Sequence, residues 1–235
     1  MTKAWLSKRG IEFEALDVAN DPEALRALQA LGLMSVPAVV VGDRSMTGWN
    51  PTRLAELVGL PPDERTVPPA ELVVTLRLVL DGALRAVRQV PDDRWEMMAP
   101  GRERPLREVA RHLFHVVEAS VDADVLGVFP ADAWLAERDV PSLTGAERLA
   151  RYGEAARAKF ETWYADGYAA DFDRIIDADV GPRTLAQVLE RTCLHAAQHL
   201  RQLYAFLEWC DVTPADPLSV EELRRRGLEL PDSIF

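Results

Sequence analysis

Two rhythms of apolar and polar positions run along this chain, and the change from one to the other divides it. Residues 3–9 read as the end of a helix that Gly10 stops. Ile11-Glu12-Phe13-Glu14-Ala15-Leu16-Asp17-Val18 then alternates apolar and polar, the period of a half-buried strand. Asn20-Asp21-Pro22 supplies a capping side chain and a proline for a first turn, so a helix is expected to about Leu31, closed by Gly32. Pro37-Ala38-Val39-Val40-Val41 is a short apolar strand, Gly42-Asp43 a turn, and Arg44–Thr47 the return strand of a hairpin. Asn50-Pro51 opens another helix that ends near Gly59. The predicted order is α-β-α-β-β-α.

Leu60–Pro69 holds four prolines among charged residues, the composition of a linker. Beyond it the alternation gives way to helical periodicity. Helices are expected at about 70–90, 105–127, 144–166 and 184–210. They are separated by turn residues at Pro91-Asp92-Asp93, Phe129-Pro130, Pro141-Ser142 and Gly181-Pro182. Four long amphipathic helices with such connections predict a four-helix bundle. Pro214–Phe235 adds one short helix and a proline-containing extension. The expected organisation is an α+β two-domain chain: an α/β unit at 1–60, a linker at 61–69, and an all-α bundle with its extension at 70–235.

Composition narrows the function classes. A net charge of −11 opposes binding to nucleic acid or to anionic membranes, both of which need a basic face. No run approaches the ~20 apolar residues of a membrane span. Met1-Thr2-Lys3-Ala4-Trp5 leads straight into mixed polar sequence without an apolar signal region, so a cytoplasmic protein is expected. Cys193 and Cys210 form no CxxC or zinc-ribbon spacing and are expected to be reduced and buried.

All four histidines fall in the helical half. His195 and His199 are four residues apart, one turn up the same helix face, where two imidazoles can share a metal ion. A wheel from Leu185 at about 100° per residue places both at the edge of the apolar stripe, facing inward. Cys193 points away from them and is excluded as a ligand. On the preceding helical pattern, a wheel from Leu106 puts His112 at the margin of the apolar face beside Val109 and Val116. His115 falls among Glu108, Arg111 and Asp122 on the polar side. His112 is therefore the preferred third ligand and His115 the alternative. Arg201 reads as a surface residue paired with a nearby Glu, Tyr204 and Trp209 as packing, and Asp171/Asp173 and Asp177/Asp179 as solvated charge.

The first 60 residues resemble glutaredoxin. The resemblance is carried by Trp5-Leu6-Ser7-Lys8-Arg9-Gly10-Ile11-Glu12-Phe13, by Ser35-Val36-Pro37-Ala38-Val39-Val40 and by Met46-Thr47-Gly48-Trp49-Asn50. It implies a cis Val36–Pro37 bond, with Val36 and Pro37 lining a thiol-binding groove and Gly48 and Trp49 at its rim. The departure is equally plain: glutaredoxins begin with a strand and a CxxC or CxxS turn, whereas here no cysteine precedes Cys193. Thiol–disulfide exchange needs a low-pKa thiolate, so this unit is not a disulfide reductase as given. Two readings stay open: coding sequence upstream of Met1 supplies the strand and turn, or the unit is a reduced docking piece.

Residues 70–210 resemble the DinB/YfiT-like metalloproteins, through Arg107-Glu108-Val109-Ala110-Arg111-His112-Leu113 and Leu194-His195-Ala196-Ala197-Gln198-His199-Leu200-Arg201-Gln202. The resemblance implies one divalent ion, zinc or nickel, held by His112, His195 and His199, with room for water or substrate. Some relatives use low-molecular-weight thiols, so a thiol-dependent transferase or a related metalloenzyme such as a hydrolase, acting on a small-molecule substrate, is expected. The alternative is a non-catalytic metal- or thiol-binding module. Such bundles often pair, and a homodimer is left open.

Overall fold

The structure is a computed structural model that describes residues 2–33, 36–48, 51–61, 67–99, 104–129, 145–165, 171–178, 181–232 and 234. Ser35, Trp49, Asn50, linker residues 62–66, Pro130, Pro141, Ser142 and Asp179 lie outside them. The chain divides into two compact units, Met1–Thr66 and Val67–Phe235.

The first unit contains α1 (Thr2–Lys8), α2 (Pro22–Ala30), β1 (Ala38–Val41), β2 (Arg44–Thr47) and α3 (Pro51–Leu57). Asp21 caps α2 as its sequence implies: its Oδ1 accepts from the amides of Glu23 (2.8 Å) and Ala24 (3.4 Å). β1 and β2 pair antiparallel, with Ala38 opposite Thr47 and Val41 opposite Arg44. Trp5 and Leu6 of α1, Met46 of β2, and Leu54, Ala55 and Leu57 of α3 form the core.

Ile11–Val18 is not a strand, contrary to the expectation from its alternation. A strand exists only as a ladder with a neighbour, and no such partner is present among the described residues. Phe13 and Leu16 are consequently exposed. α2 buries only Ala24, and its Leu25 stays exposed. Local periodicity was right about which side chains are apolar and silent about what would cover them.

The second unit holds four long helices: α4 (Pro69–Gln89), α5 (Leu106–Leu126), α6 (Ala146–Ala165) and α7 (Leu185–Trp209). Each lies within about two residues of its predicted span. α4 and α5 both pack against α6 and α7, enclosing a core that includes Leu72, Leu76, Leu80, Phe114, Phe160 and Phe206. A capping box opens α7: Thr184 accepts from the Gln187 amide (3.2 Å) while the Gln187 side chain accepts from the Thr184 amide (3.0 Å). α5 and α6 approach closely at Gly153, where a Cβ would lie 2.5 Å from the Phe114 ring.

This half also carries strands that its helical pattern did not announce. β3 (Val128–Phe129) pairs parallel with β4 (Ile175–Ala178), which pairs antiparallel with β5 (Arg183–Thr184). These are pieces of two to four residues, too short to leave a period in the sequence. α8 (Val220–Arg225) follows α7, and Leu223, Leu228 and Leu230 bury the chain beyond it.

Candidate metal centre

The contact between α5 and α7 assembles the site. His112 projects from α5; His195 and His199 project one turn apart from α7. One ligand-type nitrogen from each lies within 4.8 Å of the others. The ring centroids form a near-equilateral triangle: 5.0 Å from His112 to His195, 4.9 Å from His112 to His199 and 4.8 Å from His195 to His199. His112 and His199 are buried, while His195 keeps a partly open face. No second group of three or more histidine, cysteine or carboxylate ligands occurs among the described residues.

Burial holds His195 and His199 neutral. Desolvation pushes His195 down to about 3, helped by His112, Arg191 and Arg104. His199 is driven well below its ordinary value, again first by burial and then by His195 and His112. Neutral imidazole is the ligating form, so protons do not compete for His195 and His199 near neutral pH.

Nitrogen spacing tests the fit directly. Nε2 of His112 and Nε2 of His195 are 3.0 Å apart. Two neutral rings accept that approach if one nitrogen carries the proton or if both lone pairs face a cation. Bonds of ~2.1 Å to one ion place adjacent nitrogens roughly 3.0–3.4 Å apart, so the His112–His195 pair has the spacing of two ligands on one divalent ion, with His199 nearby to complete the set. His199 Nδ1 is 2.7 Å from Oε1 of Gln202, the outer hydrogen bond that ligating histidines usually make.

His115 faces elsewhere. Its Nδ1 lies 3.4 Å from the Tyr152 hydroxyl of α6 and 4.0 Å from Glu118, and Tyr152 in turn donates to Glu118. The polar side of α5 is thus covered by α6 rather than solvated. His115→Ala is expected to retain the full metal content of the wild type while His112→Ala loses it. Elemental analysis of the two purified variants reads the difference, and metal loss in His115→Ala would make His115 a ligand.

Cys193 is buried with its Sγ 3.8 Å from the Leu72 carbonyl of α4, and burial pushes its thiol up to about 12. It is neither ligand nor nucleophile. Arg201 departs from the sequence expectation: it is buried and donates to Gln198 Oε1 (2.8 Å) and to the carbonyls of Pro231 (2.7 Å) and Asp232 (3.2 Å), not to a Glu. Asp171 only turns back onto the Asp173 amide (3.2 Å). In the first unit the Val36–Pro37 bond is cis, and the Pro37 carbonyl accepts from the Gly48 amide at 2.8 Å, with the Val36 side chain exposed.

The sequence pattern placed Gln202 beside the HxxxH motif without giving it a role, and left Arg191 and Arg104 unremarked. Gln202 sits three positions after His199 and Arg191 four before His195, both spacings of one helix face. Helical geometry could have flagged them; nothing local could have flagged Arg104.

Comparison with known proteins follows the same division of the chain. A glutaredoxin family profile matches residues 1–46 and a DinB superfamily profile matches residues 47–203. The glutaredoxin-like protein NrdH of Escherichia coli (strain K12) is 39% identical over 56 residues, covering 24% of this chain and 69% of that protein. The glutaredoxin-like protein NrdH of Lactococcus lactis subsp. lactis (strain IL1403) is 30% identical over 57 residues, covering 24% of this chain and 79% of that protein. The boundary at 46/47 cuts through β2, whereas the structural unit continues through α3.

Proposed function

Because the chain belongs to the DinB superfamily through its helical half, and to the glutaredoxin family through its first residues, we propose that it is a metal-dependent enzyme that joins a low-molecular-weight thiol to a small-molecule electrophile. The observation that carries this reading is the convergence of His112, His195 and His199 as buried or half-buried imidazoles. A divalent ion, zinc or nickel, suits such a donor set. When bound, it supplies a Lewis acid that lowers the pKa of a thiol or water.

The chain's own groups divide the remaining work. His195 and His199 stay neutral, and the packing of α5 on α7 brings His112 to them. Arg104 and Arg191, whose charges reach His195, favour an anionic reactant. Cys193 is buried with its thiol pushed up to about 12, Cys210 sits at the far end of α7 with its thiol raised by burial, and neither belongs to the histidine group, so the reacting thiol is proposed to come from solution. Within the first unit, Val36 and Pro37 are proposed to bind the peptide-like part of a low-molecular-weight thiol. No helix is long and apolar enough to cross a membrane among the described residues. A reducing cytoplasm, where such thiols are kept free, is the proposed setting.

The test is consumption of glutathione or cysteine by the full chain in the presence of an activated aryl chloride. Turnover should disappear with a chelator and return with added zinc or nickel. Metal binding without turnover across the panel would instead favour the non-catalytic binding module. Turnover indifferent to the chelator would overturn the metal-dependent reading.

A further inference from the structure

Gln202 joins the candidate centre to a part of the chain beyond the matched DinB region, which ends at residue 203. Its Oε1 lies 2.7 Å from His199 Nδ1, and its Nε2 donates to the Ile234 carbonyl at 2.9 Å. The same carbonyl accepts from Gln198 Nε2 at 2.7 Å. Arg201 holds the neighbouring carbonyls of Pro231 and Asp232, and Arg224 binds the Leu230 carbonyl (3.0 Å) and the Asp232 carboxylate (2.6 Å). Residues 231, 232 and 234 are therefore tied down by four side chains from α7 and α8.

A primary amide has one accepting end and one donating end, and a carbonyl only accepts. With Ile234 fixed, the NH2 of Gln202 must face the segment, and its oxygen must face His199. That oxygen only accepts, so the proton of neutral His199 must sit on Nδ1, leaving the lone pair on Nε2. Without the segment the amide could turn over, offer its NH2 to Nδ1 and move the proton to Nε2. We infer that the Ile234 carbonyl, held beside the anchored Pro231 and Asp232 and acting through Gln202 as a positioning residue, sets the tautomer of His199 and thereby raises the affinity of the three-histidine centre for its metal. The inference rests on the metal reading above. By reciprocity, an occupied centre holds the segment more firmly.

Three proteins test it: the full chain, a chain stopped after Leu230, and Arg201→Met, which keeps the whole chain but frees the Pro231 and Asp232 carbonyls from Arg201. The first readout needs no metal. Nitrogen-15 spectra of the histidines should show His199 protonated on Nδ1 in the full chain and a mixture, or the Nε2 form, in the other two. The second readout is zinc affinity by competition with a chromophoric chelator. The stopped chain and Arg201→Met should bind roughly three- to tenfold more weakly, and Gln202→Leu roughly 10–100-fold more weakly. Gln202→Glu in the stopped chain should recover the full-chain affinity, because a carboxylate only accepts and needs no segment to orient it. An unchanged His199 tautomer in both the stopped chain and Arg201→Met overturns the inference even if zinc still binds. Equal zinc affinity in the stopped and full chains, or failure of Gln202→Glu to recover it, does the same. Absence of zinc binding in the full chain would defeat the metal reading, with the tautomer readout still showing whether the segment controls His199.

Discussion

Replacing His195 and His199 together by Ala is expected to take the bound metal from about one divalent ion per chain to background, because a single remaining imidazole cannot hold the ion against water. His112→Ala, which leaves the i,i+4 pair on α7, should weaken binding severely without erasing it in excess zinc. Elemental analysis after dialysis reads both, and full occupancy in the double variant would remove these residues from the site. Acid gives an independent check on metal-free protein. In the unfolded chain a histidine protonates at ~6.5. In the fold His195 resists until about 3 and His199 is held well below its ordinary value, burial being the main cause for both. As pH falls below ~6.5 the unfolded state takes up protons that the folded state refuses, so stability is full above that pH and is lost progressively toward about pH 3, at up to roughly 1.4 kcal/mol per pH unit for each group. His195→Gln/His199→Gln should flatten this slope between pH 6.5 and 5, where most carboxylates remain ionised. An identical slope in wild type and variant would mean that these rings are not buried as neutral groups.

The second large effect lies at the far end of α5. The Asp124 side chain is fully inaccessible. It accepts from Trp163 Nε1 of α6 at 2.7 Å and from the guanidinium of Arg174 just before β4, which also reaches the Asp124 carbonyl. One carboxylate thus fastens α5, α6 and the short sheet. Asp124→Ala would leave the Trp163 indole N–H buried without an acceptor and remove a charge-assisted bond. Arg174 is 41% exposed and recovers water, which keeps the loss below that of a wholly buried pair. The expected destabilisation is about 2–4 kcal/mol by urea unfolding. Asp124→Asn retains an acceptor for Trp163 and should cost about half as much. A change under about 1 kcal/mol in Asp124→Ala would show that the cluster is not a fastening point.

Much of this molecule could be read along the chain, because helices are local objects. Caps, prolines and a 3.6-residue period are written within each segment, which is why α4 to α7 fall within about two residues of their expected spans. The same period turned His112 toward His195 and His199 and left His115 on another face, since spacing along one helix fixes relative direction. Other features belong to no single segment. Ile11–Val18 has a strand's alternation but not a strand's partner, and hydrogen-bonded pairing is a relation between segments. β3 meets β4 across more than forty residues of chain, through pieces too short to carry a period. Arg201 read as a surface charge because α7 alone does expose that face; it is buried because residues 231 and 232 fold back over it. Asp124, two residues after Asp122 on the same helix, gives no sign that a tryptophan and an arginine will meet there. The sequence by itself determined which helices form and which histidines share a face. Only the tertiary structure decided what covers those faces and which distant carbonyl orients Gln202, because both depend on contacts between residues that the chain order keeps apart.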